Sequence, residues 1–594
     1  MRNAKIVCTL GPASETAAEI EALAEAGMSV ARLNTSHGTP EKHETLIERV
    51  RAVDAATDEP LAVMLDLSGP EVRTAPLDEP IALREGSTVR FFPGDTATPE
   101  AVGLSTSVAA VEPGDSILLD DGRIETTVER VEGESVHAVV ENGGELSGRK
   151  GVNVPGVDLG LPTITDSDER QLDVAAETEA DFVAASFVGS GEDIYEISTA
   201  LEERGAEIPV IAKIERAEAV ANLDEIVDEA YGVMVARGDL GVECPLEDVP
   251  LIQKRIIRNC NEAGVPVITA TEMLDSMVHE RRPTRAEASD VANAVLDGTD
   301  AVMLSAETAV GDHPVRVVET MDRIVRDIED SAEYAESREQ RVPAAEDTRT
   351  DALARSARYL ARDVGASAVV AASESGYTAL KAAKYRPDMP VVAATPNEPV
   401  RRRLALSWGI IPKSVPYETG GADAIIQGAV QAALDANVAE GGDTMVVLSG
   451  MMPELEGLNT ANMLKVHVAA ETLASGRSVV EGLATGPVHR VPDGDLADVP
   501  EGGIAVVPAD FDGEFDGDLA KLGGLLDGHA GVTGYAVIVA RELGIPAISD
   551  VTLPEDVADG TVVTLDAERG VVYEDAVGER GRERRGLGGG RSGQ

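Results

Sequence analysis

The sequence has few cysteines, few lysines and few aromatic residues. Its 594 residues include 3 Cys, 1 Trp and 6 Phe, and only 10 Lys against 41 Arg. Cys8, Cys244 and Cys260 stand far apart and lack CxxC spacing. This pattern excludes a disulfide scaffold or a zinc knuckle and predicts a cytoplasmic protein. Runs of about 18 apolar residues are absent, so no segment is expected to cross a membrane.

Positive charge is also scarce. Acidic residues number 106 against 51 basic ones, which gives a formal net charge of −55. Such a surface excludes nucleic acids and anionic membranes as partners, because both repel negative charge. Self-repulsion on this scale destabilises a compact chain in dilute buffer and is screened at molar salt. The composition therefore predicts a cytosolic protein of a halophile, and 43% apolar residues in regular patterns disfavour intrinsic disorder.

Residues 1–340 alternate short apolar runs with amphipathic helical stretches, the pattern of a parallel sheet covered by helices. Eight such runs favour a closed (β/α)8 barrel over an open sheet. They are 5–10, 30–36, 61–67, 181–187, 209–215, 233–237, 266–273 and 301–307. The long interval after 67 is rich in Gly, Pro and short alternating runs, which predicts a small β-barrel domain inserted after the third barrel strand.

The predicted fold class is therefore α/β, a (β/α)8 TIM barrel with three further domains. The barrel is expected to comprise residues 1–70 and 157–340, with the inserted β-barrel domain at 71–156. A three-layer α/β domain is predicted at 346–472, and a small swivelling β/β/α-type domain at 478–575. The Arg/Gly-rich end, 576–594, is predicted to be disordered.

Polar residues stand at the carboxyl ends of the predicted barrel strands, where the active sites of such barrels lie. Glu215 and Asp239, carboxylates from neighbouring strands, suit a shared Mg²⁺ ion. Asn34, Ser36 and Asp66 offer amide, hydroxyl and carboxylate oxygens, which suit a monovalent cation.

Arg32, Lys213 and Thr271 complete this set. Arg32 presents a fixed fork of donors for phosphate or carboxylate. Lys213 puts a positive charge beside the metal, where a developing enolate oxygen could be stabilised, and Thr271 can donate or relay a proton. Any one of these residues alone is better explained as a satisfied polar group of the barrel interior. The convergence of five strands on one mouth, with both signs of charge, favours a catalytic site.

Several separate motifs resemble the pyruvate kinase family. They are 5–12 (KIVCTLGP), 31–38 (ARLNTSHG), 149–153 (RKGVN), 235–241 (VARGDLG), 283–287 (PTRAE) and 290–300 (DVANAVLDGTD). The likeness covers roughly residues 1–472, and the acidic composition indicates a haloarchaeal type of this family.

The resemblance implies transfer of a phosphoryl group from phosphoenolpyruvate to ADP, giving pyruvate and ATP, with Mg²⁺ (or Mn²⁺) and K⁺. It implies that Arg32 and Lys213 contact the transferred group, and that Gly238, Asp239 and Thr271 bind the substrate. The implied metal and nucleotide ligands are Glu215 and Asp239 for Mg²⁺; Asn34, Ser36, Asp66 and the carbonyl of Leu67 for K⁺; and Asn34, His37, Arg73 and Lys150 for the nucleotide. The inserted domain would close as a lid, and the family's usual assembly is a homotetramer.

Three positions bear on how far this resemblance holds. Ser68 stands where the family usually has Lys, which removes a positive charge near the site, and Glu272 stands where Gln is common. Glu71 matches the K⁺-dependent members, so K⁺ dependence is predicted. The loop 373–378 aligns with a loop that binds effector phosphates in some members of the family. The negative charge of Glu374 disfavours an anion there. A turn that caps the following helix explains the loop at least as well.

The last domain resembles the mobile phosphohistidine domain of phosphoenolpyruvate-using enzymes, through 539–546 (VARELGIP) and 564–570 (TLDAERG). Tyr535 occupies the position of the phosphoryl-accepting His, so no phosphohistidine is expected.

Two other interpretations of the whole chain stay open. The first is an inert regulatory protein that binds phosphoenolpyruvate or nucleotides, which the departures at Ser68, Glu272 and Tyr535 would allow. The presence of all the expected catalytic residues of the barrel argues against it: Arg32, Lys213, Glu215, Asp239 and Thr271. The second is a phosphoenolpyruvate-dependent phosphotransferase of the synthase class, and Tyr535 argues against it.

Overall fold

The computed structural model describes residues 2–417, 422–450, 461–470 and 472–574. The chain first forms three barrel strands with their connecting helices: β1 (Lys5–Thr9), α1 (Ala17–Glu25), β2 (Val30–Asn34), α2 (Pro40–Asp54) and β3 (Ala62–Asp66). The inserted domain then contributes β4 (Val72–Arg73), β5 (Ile81–Leu83), β6 (Thr88–Pro93), β7 (Ala97–Thr98), β8 (Ala101–Leu104), β9 (Ser116–Leu119), β10 (Ile124–Glu132), β11 (Ser135–Asn142), β12 (Gly144–Leu146) and β13 (Gly151–Asn153).

After the insertion the chain completes the barrel. These elements are α3 (Asp166–Glu177), β14 (Phe182–Ala185), α4 (Gly191–Glu203), β15 (Val210–Ile214), α5 (Ala217–Ala221), α6 (Leu223–Glu229), β16 (Gly232–Ala236), α7 (Arg237–Glu243), α8 (Val249–Ala263), β17 (Val267–Ala270), a 3₁₀ turn (Asp275–Val278), α9 (Arg285–Asp297), β18 (Ala301–Leu304), α10 (Ala306–Ala309), α11 (Pro314–Glu329) and α12 (Ala332–Gln340).

Eight parallel strands close the barrel in the order β1-β18-β17-β16-β15-β14-β3-β2, with β2 paired to β1. The eight-stranded barrel predicted from the sequence is confirmed. Most of the predicted runs extend past the strands by one to three residues at the carboxyl end. Past the strand ends the backbone leaves the sheet, as at Phe187 and Thr271, whose φ values are 60° and 65°.

Branched and sulfur-containing side chains fill the barrel interior, which accords with the shortage of aromatic residues. Val7, Met64, Phe182, Met234 and Ile268 are all fully buried in one cluster inside the strands. A separate, larger cluster fills the space between the strands and the surrounding helices. Burial on both faces is why these strands read as continuous apolar runs rather than as alternating ones.

The inserted domain is all-β. Its main sheet has the order β4-β13-β9-β10-β11-β6-β8-β7, and β12 pairs with β5. An isolated bridge between Thr74 and Leu104 links the two sides of this sheet, around a core that includes Phe91, Ile117 and Val140.

The rest of the chain completes two compact units. One comprises Met1–Asp351, Ser373–Arg386 and Thr395–Ser414; the other comprises Ala352–Ala372, Pro387–Ala394 and Val415–Gln594. The remaining elements are α13 (Arg349–Val364), β19 (Ala368–Ala372), α14 (Tyr377–Lys384), β20 (Val391–Thr395), α15 (Glu398–Arg403), a 3₁₀ turn (Leu404–Leu406), β21 (Ile410–Ser414), α16 (Ala422–Asp435), β22 (Thr444–Ser449), β23 (Met463–Val468), β24 (Thr472–Ser475), β25 (Arg477–Val480), β26 (Leu483–Arg490), β27 (Gly503–Val507), a 3₁₀ turn (Leu519–Lys521), β28 (Leu522–Asp527), α17 (Tyr535–Leu543), β29 (Ala547–Ser549), β30 (Val562–Asp566) and β31 (Val571–Glu574).

The second unit carries two sheets. In one, β20, β19, β22 and β23 are neighbours in that order, and β23 runs antiparallel to β22. The other has the order β24-β31-β30-β26-β27-β28-β29-β25. The α/β domain and the additional C-terminal domain of the predicted fold are confirmed, while their predicted boundaries stay predictions. The disorder predicted for 576–594 lies outside the described residues, among which no helix has the length and apolar character needed to cross a membrane.

Candidate functional site

A line of alternating charges crosses the carboxyl end of the barrel. Arg32, on β2, donates from Nε to Asp66 Oδ2 at 2.5 Å. Lys213, on β15, lies 3.4 Å from Asp66 Oδ1 and 2.7 Å from Glu215 Oε1 through its Nζ. All four residues are buried. The structure therefore brings together the arginine, the lysine and one of the two acids predicted to act on the substrate and the metal.

Burial and neighbouring charges shift the pKa values of these buried residues in different directions. Burial alone would raise the pKa of Asp66, but the charges of Arg32 and Lys213 outweigh it and lower that pKa. Burial would likewise lower the pKa of Lys213, but Asp66 and Glu215 hold it above its ordinary value. For Glu215, burial raises the pKa to about 7; the charge of Asp239 adds to this effect and Lys213 opposes it. Lys213 thus stays protonated, while Glu215 titrates near neutrality.

The sequence analysis placed Asp239 at the end of a barrel strand. In the structure it lies instead in the first turn of α7. Its pKa is raised by burial and by the negative charges of Asp121 and Glu71, against the attraction of Lys213. Asp121 and Glu71 belong to the inserted domain, so that domain adds negative charge to the barrel mouth. The excess of carboxylates over positive groups at this point is what a divalent cation would neutralise.

Gly238 and Thr271 bond to each other. The Gly238 N–H donates to Thr271 Oγ1 at 2.9 Å, and the Thr271 hydroxyl donates to the carbonyl of Ala270 at 2.7 Å. A substrate carboxylate would have to compete with both bonds. Thr271 lies just past the strand within whose predicted run, 266–273, it falls, because β17 ends at Ala270 and Thr271 has a φ of 65°. Thr269 is fully buried and donates to Thr299.

Arg237 is a residue that the sequence analysis assigned no role. Its guanidinium donates to the carbonyl of Ala270 at 2.9 Å and to that of Thr271 at 2.5 Å, and it pairs with Asp290 at 2.6 Å. Thr271 and Glu272 both have positive φ, 65° and 53°, a region that costs non-glycine residues about 1–3 kcal/mol each. Arg237 therefore stabilises, through these hydrogen bonds, the strained turn that contains Thr271.

Ser186 was also missed. It follows β14, and its hydroxyl accepts a hydrogen bond from Lys213 Nζ at 2.6 Å and donates to the carbonyl of Leu67 at 2.8 Å. One buried hydroxyl thus joins the lysine to a predicted K⁺ ligand. The only signal in the sequence was its place just after the fourth barrel strand, the position shared by the residues that were singled out.

The predicted K⁺ ligands gather at β2 and β3, where Asn34 pairs in register with Asp66. Asn34 Oδ1 accepts from the Ser36 N–H at 3.1 Å, and the Ser36 hydroxyl lies 3.2 Å from Ser68 Oγ. The Leu67 carbonyl accepts from Ser186 but retains a second lone pair. Ser68, the departure from the family pattern, thus adds a hydroxyl to an oxygen-rich group. This donor set suits a monovalent cation.

Of the predicted nucleotide residues, Asn34 lies beside Asp66 of the charged line, whereas Arg73, Lys150 and His37 make contacts of their own. Arg73 pairs with Glu71 at 2.6 Å and donates to the carbonyl of Arg149, and Lys150 pairs with Asp120 at 2.7 Å. In the pairing of β4 with β13, Arg73 is opposite Gly151, the residue that follows Lys150. His37 is exposed after β2, and its carbonyl bonds to the ring of His43.

A cavity of about 360 Å³ adjoins this network. Ser186, Phe187 and Arg216 line it from the barrel, and Glu71 and residues 152–154 line it from the inserted domain. Within the described part of the chain, no group of three or more His, Cys, Asp and Glu side chains is arranged to hold a metal. Mg²⁺ commonly takes one or two carboxylates from a protein and its remaining ligands from substrate and water, so the number of carboxylates at Glu215 and Asp239 is compatible with this ion.

Together these features define the class of the protein: a (β/α)8 barrel enzyme with a charged pocket at the carboxyl ends of its strands. Comparison with known proteins gives the family. Residues 1–318 match the family described as pyruvate kinase, barrel domain, residues 351–467 match the pyruvate kinase alpha/beta domain, and residues 499–570 match the mobile domain of PEP-utilising enzymes. The chain belongs to the pyruvate kinase family, and it is an enzyme of that family.

Its relatives are similar over nearly the whole chain. The pyruvate kinase of Geobacillus stearothermophilus is 43% identical over 583 residues, which cover 96% of this chain and 98% of the relative. Those of Sporosarcina psychrophila and Bacillus licheniformis are 41% and 40% identical, over 96% and 97% of this chain and 99% of each relative. These relatives are bacterial and give no support to the haloarchaeal type predicted from composition.

Proposed function

We propose that this enzyme transfers the phosphoryl group of phosphoenolpyruvate to ADP, giving pyruvate and ATP. The observation that carries the proposal is the buried line of Arg32, Asp66, Lys213 and Glu215, with Asp239 close enough to influence the titration of Glu215. Phosphoryl transfer needs positioning and neutralisation of charge more than covalent help from the protein. A site with fixed cations and paired carboxylates supplies both.

In this proposal each residue acts on a defined part of the substrate. Arg32, fixed by Asp66 and by Thr9 at 2.9 Å, directs its remaining donors to the phosphoryl group. Lys213, kept protonated by its acidic neighbours, stabilises the negative charge that develops on the enolate oxygen. The backbone at Gly238 and Asp239 and the hydroxyl of Thr271 lie near the substrate carboxylate.

Glu215 and Asp239 would hold Mg²⁺ (or Mn²⁺). When bound, this ion would supply positive charge that stabilises the negative charge developing on the substrate during transfer. Arg73 and Lys150, together with Asn34 and His37, would face the nucleotide. Closure of the inserted domain over the mouth would exclude water from the transfer step.

K⁺ is the second ion of the proposal, with Asn34, Ser36, Asp66 and the Leu67 carbonyl as its ligands. Support comes from the oxygen-rich group at β2 and β3 and from Glu71, the residue typical of K⁺-dependent members. Pyruvate formation should be fast in KCl and slow in choline chloride at the same ionic strength. Equal rates in the two salts would contradict K⁺ dependence.

The main test is a coupled assay of pyruvate formation in KCl with Mg²⁺, phosphoenolpyruvate and ADP. Lys213→Met should abolish most of the activity, because it removes the charge beside the enolate oxygen. Lys254→Met is the matched control, since Lys254 pairs with Asp297 on the outer helices at 2.5 Å. An inactive wild type that still binds phosphoenolpyruvate would favour the inert regulatory protein. Formation of acid-labile phosphoprotein from labelled phosphoenolpyruvate would favour the synthase class.

Three broader properties belong to the same proposal. The net charge of −55 supports function in concentrated KCl, where repulsion between surface charges is screened. The three cysteines are free thiols, which supports a cytoplasmic location. Family likeness supports a homotetramer, and sedimentation at several protein concentrations would test it.

A further inference from the structure

A second cavity, of about 750 Å³, lies in the unit that contains α16, β23 and β31. Its basic lining residues come from distant parts of the chain: Lys465 and His467 stand on β23, and Arg569 precedes β31. The volume falls within the range typical of small-molecule sites, about 300–1,000 Å³. Neither the family resemblance nor the barrel site assigns a role to this cavity.

The charge of the lining is opposite to that of the protein. With 106 acidic residues in 594, the thirteen described lining residues would be expected to include about two acids, and none of them is acidic. Glu471, between two lining residues in the sequence, lies outside the described residues. Two permanent cations and an imidazole line this one cavity in a chain where carboxylates outnumber basic groups by about two to one.

These basic groups have little to neutralise them. Among the described residues, Lys465 and His467 form no ion pair, and Arg569 forms a long one, with 3.8 Å between its Nε and Asp566 Oδ2. Burial and the neighbouring charge of Lys465 lower the pKa of His467. A positive potential of this kind attracts an anion, and partial enclosure reduces its screening by salt.

The rest of the lining suits an organic group. Val430, Leu434 and the nearly buried Tyr573 form an apolar side, and Gln427 and Gln431 offer side-chain amides. Gln431 also donates to Asp435, which orients its amide. Fixed cations suit a phosphate, whose oxygens accept several charge-assisted hydrogen bonds. We propose that this cavity binds a small organic phosphate, with Lys465, His467 and Arg569 around the phosphate group.

The test measures binding rather than catalysis, so that it stands apart from the proposed function. The full-length protein, without Mg²⁺ in dilute KCl, is titrated with glycerol 3-phosphate and, in parallel, with glycerol. Binding is followed by calorimetry and by the carbon-bound proton of the His467 ring in ¹³C-histidine-labelled protein, its signal assigned by its loss in His467→Gln. We expect a saturable shift of this signal with the phosphate and none with glycerol.

The decisive variant is Lys465→Gln with Arg569→Gln, which should weaken this binding about tenfold or more. Arg130→Gln with Arg323→Gln is the matched control: it removes the same charge from exposed positions and should leave affinity within about twofold. Lys465→Arg with Arg569→Lys keeps both charges and should retain most of the binding, which separates lost charge from lost folding.

Three results would overturn the proposal. One is calorimetric binding without a shift of the His467 signal, which would place the phosphate at the barrel mouth only. Another is equal affinity in the two charge-removing variants. The third is a change of sedimentation in the Lys465 and Arg569 variant with unchanged phosphate binding, which would make this face a contact between copies of the chain.

Discussion

Replacement of Ser186 by Ala tests whether the buried network positions the lysine for catalysis. The change removes one hydroxyl that accepts from Lys213 at 2.6 Å and donates to the Leu67 carbonyl at 2.8 Å. A hydrogen bond to a charged group is worth about 1.5–3 kcal/mol, and a buried carbonyl left without a donor costs about 1–3 kcal/mol. Lys213 keeps its contact with Glu215, so the ammonium stays in the site but loses one of the contacts that fix its direction.

We therefore expect Ser186→Ala to lower kcat by about tenfold to a hundredfold, with a KM for phosphoenolpyruvate within about threefold of wild type. The K⁺ concentration at half-maximal activity should also change, because the Leu67 carbonyl loses a competing donor. Both quantities come from the coupled pyruvate assay with KCl varied at constant ionic strength.

Thr269→Val provides the matched control for this experiment. It removes another fully buried hydroxyl of the barrel, the one that bonds Thr299 at 3.0 Å, without touching the charged line. Its melting temperature should fall while kcat stays near wild type. If Ser186→Ala and Thr269→Val reduced kcat equally, or if neither did, Ser186 would be a structural residue and the reasoning would be refuted.

Further predictions concern the turn, the metal and the salt. Arg237→Gln should lower kcat about tenfold, because Thr271 loses the hydrogen bonds that hold its strained backbone. Arg237→Lys should recover little of this activity, since lysine lacks the planar fork of donors. Unchanged kinetics in both variants would contradict this role of Arg237. Because Glu215 has a pKa of about 7 and must lose its proton to bind a cation, Mg²⁺ affinity should fall by about tenfold per pH unit below 7 and level off above it. Calorimetric affinities that are equal at pH 6 and pH 8 would contradict that linkage. The melting temperature should rise between low and molar KCl, as the Debye length shrinks from about 10 Å to about 3 Å; a flat response in KCl would argue against adaptation to salt.

The position of most candidate site residues could be predicted from short stretches of sequence. Arg32, Asp66 and Lys213 lie on barrel strands, and Glu215 follows one directly. Carboxyl ends of parallel barrel strands meet at one mouth, so the apolar runs alone indicated which polar residues would be neighbours. The predicted run 266–273 was too long at its carboxyl end, because β17 ends at Ala270 and the backbone turns to a positive φ at Thr271.

Contacts between distant stretches could not be predicted in this way. Ser186 bonds a carbonyl 119 residues away, and Arg237 holds a turn that begins 33 residues further on. Both depend on the side-chain directions at the ends of neighbouring strands. The basic cavity has the same character, since Lys465 on β23 and Arg569 before β31 are distant in the sequence and line it together.

The sequence by itself determined the barrel, its insertion, its acidity and the family, because these follow from composition, the period of apolar residues and local motifs. Only the tertiary structure decided which hydroxyls and carbonyls complete the charged network and which basic residues line the second cavity. Hydrogen bonds and ion pairs act over a few ångströms, so their partners are set by how the strands and helices pack rather than by their order along the chain.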